Sequence, residues 1–315
     1  MTMSNRNAIA GEALLDDVSP ERSRLASIWA SVRSNPSIMF GVVVLGVVAF
    51  IAVFASYLGT IDPTLIAPSN RNFAPGTAGE MVGPDGKSFM WTYLIGSDSL
   101  GRDLYSRVLY GTRTSLIVGF SVAALSLVLG MLVGMAAGYF RRLDGIIMRF
   151  MDGLMAIPGI LLAIALVSLR GASVGTVILA ITIPEIPRVA RLTRSLVLSI
   201  RVEPFIEAAV SAGTPTWKIL FRHILPNSIA PLIVQGTFIV ASAILVEAAL
   251  GFLGVGISSE LPTWGNIISE SRTLFRLHPH GIFYPGFFLA ITVLAVNLMG
   301  DGMRDALDPK ISGKE

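Results

Sequence analysis

The chain contains no cysteine, which excludes disulfides, thiolate ligands and a cysteine nucleophile, and leaves nothing from which to read a redox compartment. Charge is scarce as well. Asp, Glu, Lys and Arg make up 14% of the 315 residues, against about 25% in an average soluble domain. Only three histidines occur, His223, His278 and His280. None sits inside an apolar run, so an intramembrane hydrolase lacks a nucleophile with a base in reach. A nucleotide cradle is missing too. Gly86-Lys87-Ser88 mimics the end of a phosphate loop, but the position that needs the first glycine of that motif is Met81. The net charge of +3 reports loop residues that set membrane orientation rather than nucleic-acid binding.

What the chain has in abundance is apolar: 53% of its residues, gathered into runs longer than a buried core helix needs. This predicts an all-α, polytopic membrane protein. Residues 1–37 read as a polar tail. Apolar character begins near Ile38, too late for a secretory leader, and no small-residue cleavage site follows. Residues 38–58 read as a first transmembrane helix, since at 1.5 Å per residue the run crosses a hydrocarbon core of ~30 Å. Residues 59–114 form a polar segment in which Pro63, Pro68, Pro75 and Pro84 predict irregular backbone. Near its end a short amphipathic helix is expected along the membrane surface, with Leu104, Tyr105, Val108 and Leu109 on one face and an Asp103–Arg107 pair at i,i+4 on the other.

Five further spans are expected within residues 115–303: Ser115–Tyr139, Ile146–Leu169, Val174–Pro187, Ile229–Leu253 and Ile282–Met299. The first has Gly130, Gly134 and Gly138 at four-residue spacing, which predicts close approach of another helix. Residues 304–315 read as a polar tail. Six spans put both termini on one side. Sixteen of the 24 lysines and arginines then fall with the termini: those of the N-terminal tail, Arg141, Arg142 and Arg149, the six between Arg188 and Arg222, and those from Arg304 onward. Eight fall opposite. The positive-inside rule makes the terminal side cytoplasmic. Residues 59–114 and the Pro262-Thr263-Trp264-Gly265 loop are placed outside.

The most informative stretch is the cytoplasmic segment 188–228, too long for a simple connection between two spans. Pro204 suits the first turn of a short helix, with Glu203 and Glu207 at its positive end. The helix is expected to reach about Gly213 and to be stopped by Pro215. A second helix follows, with Trp217, Leu220, Phe221 and Ile224 on one stripe. Glu207-Ala208-Ala209, then Gly213, then Leu225-Pro226 at that spacing resembles the signature loop of binding-protein-dependent ABC importer permeases. One departure is His223, where that family usually has isoleucine; Ile224 is adjacent. Gly96-Ser97-Asp98, Gly101-Arg102-Asp103, Pro226-Asn227, Trp264-Gly265, Gly300-Asp301-Gly302 and Arg304-Asp305…Leu307-Asp308-Pro309 are similar to the C-type permease of dipeptide and oligopeptide importers. The likeness runs from about residue 30 to residue 310.

The resemblance implies a type I ABC importer permease bundle in a bacterial inner membrane, surrounded by lipid, with no catalytic, cofactor or metal site of its own. It implies a homologous second permease, two ATPase subunits that bind ATP and magnesium, an extracytoplasmic substrate-binding protein and a peptide cargo. Glu207, Ala208, Ala209, Gly213, Leu225 and Pro226 are the residues it assigns to ATPase coupling. Nickel or another small solute remains an alternative cargo, and a stand-alone secondary transporter a more distant alternative.

Glu247 stands inside the fifth span, where a carboxylate rarely faces lipid. It reads either as a group on the translocation path or as a structural hydrogen bond to a neighbouring helix. Pro184 and Pro187 read as a kink leading to the loop or as an interruption at a binding site. Glu185 is placed to pair with Arg188, and Asp144, Arg149 and Asp152 read as anchors. His278 and His280 lack an evident third ligand for a metal.

Overall fold

A computed structural model describes residues 35–307. The 1–34 and 308–315 parts of the two expected tails, with Asp308-Pro309, Lys310 and Lys314, lie outside the described residues. Helix α1 (Pro36–Phe54) opens with Asn35 as its cap, the side-chain oxygen accepting from the Ser37 amide at 2.9 Å, and with proline in its first turn. Met39, Phe40, Val43, Val47 and Phe50 are exposed along its outer face, as suits a helix that meets lipid.

The segment from residue 59 to residue 103 is more ordered than the sequence predicts. Its chain forms an antiparallel hairpin of β1 (Thr77–Val82) and β2 (Ser88–Tyr93), with Thr77 opposite Tyr93 and Val82 opposite Ser88. Lys87 lies exposed in the turn beside Asp85. Met81, Tyr93 and Ala67 form a small core beneath the hairpin. The helical fold therefore carries one small sheet.

Helix α2 (Leu104–Tyr139) is continuous over 36 residues. The expected surface helix and the second span are one element. Leu104, Val108 and Leu109 are buried, and so are Ser106 and Arg107 on the opposite side, because backbone of the preceding segment and a later helix cover these first turns. The expected Asp103–Arg107 pair does not form. Asp103 instead caps the helix, its carboxylate accepting from the Ser106 amide at 2.8 Å.

The third expected span is broken. Helix α3 (Arg141–Ala156) and helix α4 (Gly159–Arg170) meet at an angle of 83°. Pro158 stands at the break, and the residue before a proline is disfavoured in helical conformation. Helix α5 (Val174–Ile200) runs on through Pro184 and Pro187, so neither proline ends the element as the sequence predicts. Helix α6 (Pro204–Ser211) follows, then α7 (Thr216–Phe252), α8 (Trp264–Ser271) and α9 (His280–Leu307). The expected second cytoplasmic helix is the first part of α7. Its stripe divides, with Trp217 and Phe221 exposed and Ile224 buried.

Gly130, Gly134 and Gly138 explain the tightest packing in the bundle. A Cβ on them would lie 2.5, 2.5 and 2.7 Å from the Cβ atoms of Val189, Thr193 and Val197 on α5. Only hydrogen at these positions allows the approach, which in a membrane replaces the missing hydrophobic drive between helices. The order of the pairs shows that α2 and α5 run in the same direction. The chain must therefore return to the far end between them, and α3 with α4 makes that return. Helix α7 runs opposite to α2, with Gly119 against Ile244 and Gly236 against Leu127. Among the described residues, α1, α2, α7 and α9 are long and apolar enough to cross a membrane, and the bent pair makes a fifth at most. Helix α5 carries Glu185, Arg188 and Arg191 within its length.

Candidate functional site

The loop flagged by the sequence forms a compact structure at one end of the bundle. Helix α6 is held by Ile206, which is buried with Met135 of α2, Val197 of α5 and Ile219 and Ile224 of α7. Glu207, Ala208 and Gly213 are exposed, as are Phe205 and Val210, and Ala209 is half-buried. One side of this short helix is thus anchored in the bundle while the other presents small and apolar side chains with one carboxylate. Glu207 stands in the first turn, where the helix dipole favours negative charge.

The end of α6 is set by Gly213. The Thr214 amide donates to the Ala209 carbonyl at 3.0 Å, and the Gly213 amide to the Val210 carbonyl at 2.9 Å. These are the two bonds of a Schellman cap, which needs a left-handed residue at the glycine position, and Gly213 has φ +72°. The helix ends before Pro215 has any part in stopping it. No atom lies within 4 Å of a Cβ built on Gly213, so within this chain glycine is required by conformation rather than by crowding.

Leu225 and Pro226 mark a second special geometry. Residues Ile219–Ile224 form a π-helical turn, and the Leu225 amide reaches back five residues to the Leu220 carbonyl. A proline in a helix donates no hydrogen bond and clashes with the carbonyl four residues before it; here that is Arg222. The wider turn relieves the clash. Asn227 Nδ2 donates to the His223 carbonyl at 2.6 Å and Ser228 Oγ to the Ile224 carbonyl at 2.9 Å, so two side chains bond back onto carbonyls at the end of the π turn. Single π turns often occur at functional sites.

Around the loop, ion pairs tie α5 to α3. Arg194 grips Asp144 with both Nε and Nη2, at 2.5 and 2.6 Å, and Arg191 meets Asp152 at 2.5 Å. Arg201 Nη1 donates to the Gly138 carbonyl at 3.1 Å. Asp144 and Asp152 are thus anchors, and Glu185 pairs with Arg188 at 3.0 Å.

Glu247 lies apart from this loop. Its side chain is 1% exposed, and Oε2 accepts from Ser115 Oγ on α2 at 3.1 Å. Oε1 has no partner among the described residues. In the chain by itself, Glu247 therefore sits between helices.

A second constellation, which sequence reasoning reads only as motif likeness, lies at the opposite end. Asp98 Oδ2 meets Arg102 Nε at 2.6 Å and Arg107 Nη1 at 3.5 Å. Glu270 Oε2 of α8 receives Arg102 Nη2 at 2.5 Å and Arg107 Nη2 at 3.0 Å. Burial pushes the Glu270 carboxyl up, and the charges of Arg107 and Arg102 pull it down. Burial also raises Asp103, against the hydrogen bonds from Ser106. Ser97 Oγ bonds the Asn70 carbonyl at 2.5 Å and receives the Phe73 amide at 2.8 Å. The Gly96–Asp103 motif is thus a latch that fastens the hairpin domain to α2 and α8. The available signal was the density of small and charged residues there; the partner, Glu270, has no marker in local sequence.

His278 and His280 stack edge to face with centroids 5.7 Å apart. Among the described residues, no group of three or more His, Asp or Glu side chains is placed to hold a metal ion.

Residues 126–313 match the family described as binding-protein-dependent transport system inner membrane component. The chain is 48% identical over 278 residues to the probable peptide ABC transporter permease protein y4tQ of Sinorhizobium fredii, covering 88% of this chain and 90% of that protein. It is 40% identical over 284 residues to the dipeptide transport system permease protein DppC of Alkalihalophilus pseudofirmus, covering 90% and 89%. Among solved structures, a chain of the MetNI methionine ABC transporter in an inward-facing conformation superposes with a TM-score of 0.54 at 19% identity, covering 64% of this chain and 96% of that one. That likeness concerns the fold.

Proposed function

The chain belongs to the family of binding-protein-dependent transport system inner membrane components, and from that membership we propose that it is one permease subunit of an ATP-driven importer of dipeptides and oligopeptides. The observation that carries the peptide assignment is the 48% identity to a protein named a peptide ABC transporter permease, maintained over nearly nine-tenths of both chains. The protein is a membrane permease component and not an enzyme. ATP and magnesium are bound by separate ATPase subunits.

Coupling to those ATPases is assigned to Glu207, Ala208, Ala209, Gly213, Leu225 and Pro226. Three features support this. Helix α6 offers small side chains for close approach, it is rigidly capped at Gly213, and Ile206 anchors it to α2, α5 and α7 together. A displacement imposed on α6 is thereby passed to three helices. Glu207, exposed and in the first turn, is available for a charge-assisted hydrogen bond to a partner. A second, homologous permease is assigned as partner on the family membership. Both termini are assigned to the cytoplasm, the latch and hairpin to the side from which a binding protein delivers cargo. The alternating directions of α1, α2, the bent pair, α5, α7 and α9 support six passes. Glu247 is kept as a group of the translocation path exposed only when the bundle rearranges.

The test is reconstitution of the chain with its partner permease, both ATPases and the binding protein in proteoliposomes. ATP-dependent uptake of a labelled dipeptide is expected, with none when the ATPases are omitted. Uptake by the purified chain alone would sink the proposal in favour of a secondary transporter.

A further inference from the structure

The break between α3 and α4 opens a cavity of about 270 Å³, comparable with the volume of a small dipeptide. Pro158 and Gly159 of the break, Pro184, Glu185 and Arg188 of α5, and Ser242 of α7 line it. The continuation of α5 to Ile200 moves Arg188 from the cytoplasmic segment expected from the sequence to the middle of a helix. Glu185 lies eleven residues into α5, about 16 Å from the helix start at 1.5 Å per residue, and the next turn packs against Gly130.

Two opposite charges at such depth are costly and rarely placed without use. Their arrangement is uneven. The Glu185 side chain is 8% exposed and that of Arg188 57%. They share one bond, Arg188 Nη1 to Glu185 Oε1 at 3.0 Å, and neither side chain makes another hydrogen bond among the described residues. A guanidinium has five donors and a carboxylate about four acceptor sites, so most of this capacity is unused. Pro184 and Pro187 add to the polarity nearby, since neither can donate to the carbonyls of Ala180 and Ile183. Broken helices that expose backbone and charge at mid-membrane depth are a recurring form of transporter binding site.

We infer that Glu185 and Arg188, at the α3–α4 break, form a station on the translocation path for a zwitterionic peptide, the carboxylate receiving its ammonium group and the guanidinium its carboxylate. This rests on the peptide-importer reading above. When the station is empty, the two side chains satisfy each other; a peptide with free termini replaces one internal bond with two external ones. The pair thus stays compensated in both states, which a lone buried charge does not. A pair acting only as a helix staple has no effect on cargo.

Because this subunit has no cysteine, Ser242→Cys puts a single thiol on the cavity wall. In the complete complex, with binding protein and ATPases in proteoliposomes, this thiol is expected to react with an anionic methanethiosulfonate reagent. Dialanine, ATP and binding protein together should slow the reaction at least threefold, whereas ATP and unliganded binding protein should not. Glu185→Gln in the same background should abolish that protection and lower dialanine uptake at least tenfold, and Glu185→Asp should restore part of both. The assignment is overturned if the thiol is unreactive, if dialanine does not protect it, or if Glu185→Gln transports at the wild-type rate. Should Glu185→Gln fail to assemble, protection in the otherwise unchanged chain decides the matter. If the unmutated complex takes up no dialanine, the peptide reading itself falls, and this assignment with it.

Discussion

Arg102 Nη2 meets Glu270 Oε2 at 2.5 Å across 168 positions of sequence. The contact joins the end of the hairpin domain to α8, and Arg107 reaches the same carboxylate oxygen from α2. Removing one member of a buried charge network leaves the others uncompensated, at a cost of about 3–5 kcal/mol. Glu270→Ala, which leaves Arg102 and Arg107 to share Asp98 alone, is therefore expected to loosen the hairpin domain while the rest of the bundle still inserts. Limited proteolysis should cut between residues 59 and 103 far faster than in the wild type. An unchanged digestion pattern would show that the latch is dispensable.

The contrast between the two ends of the molecule shows what a sequence makes legible. Gly130, Gly134 and Gly138 announce their role, because the four-residue period is itself the geometry of a helix contact. Glu207 to Pro226 are legible by spacing and likeness, and the local geometry there is local in origin: a Schellman cap built from Ala209 to Thr214, and a π turn just before Pro226. Arg107 is different. Its nearest opposite charge in sequence is Asp103, and an i,i+4 pair is the natural reading, yet Asp103 is consumed by capping α2 and Arg107 turns to Asp98 and Glu270. Competition between a helix cap and a side-chain pair is decided by tertiary burial, which a local pattern does not encode. The same holds for Leu104 to Leu109, amphipathic by pattern but covered on both sides. Pro158 lies near the middle of a stretch that reads as one continuous span, and a lone proline does not announce the 83° turn found there.

Packing along α2 and α5 leaves no room for growth. Gly134→Val places a branched side chain where a bare Cβ would already lie 2.5 Å from that of Thr193. Overpacking of this kind costs roughly 1–3 kcal/mol. Gly145 on α3 has nothing within 4 Å of its Cβ position, and Gly145→Ala should be neutral or up to about 1 kcal/mol stabilising through helix propensity. Thermal unfolding in detergent distinguishes the two, and equal midpoints would refute the close-approach account.

At Gly213 the issue is conformation. Valine there must adopt a left-handed backbone, costing roughly 1–2 kcal/mol; aspartate and asparagine tolerate it better, but aspartate adds a negative charge at the negative end of the α6 dipole. Gly213→Val and Gly213→Asp are expected to insert and to bind the partner permease, but to lose the link between ATP hydrolysis and uptake. Gly213→Asn should retain more of it. Replacing Glu207 and Ala209 together should uncouple in the same way. The measurement is peptide taken up per ATP hydrolysed, and wild-type ratios in all these variants would remove the loop from the coupling role.

Glu247 offers the sharpest division between structure and path. In the chain as folded, its carboxylate accepts from Ser115 Oγ and is sealed from solvent. If that bond is its whole purpose, Glu247→Gln keeps an acceptor for Ser115 and transport is normal with every peptide, while Ser115→Ala costs about 1 kcal/mol of stability. If the carboxylate meets cargo when the bundle rearranges, Glu247→Gln lowers uptake of peptides with a free amino group and leaves chain stability nearly unchanged. The path role predicts the second result, on the order of a tenfold loss, equivalent to about 1.4 kcal/mol in the transport barrier. Uptake rates measured beside thermal midpoints for both variants separate the two, because a structural bond moves the midpoint and a path contact moves the rate.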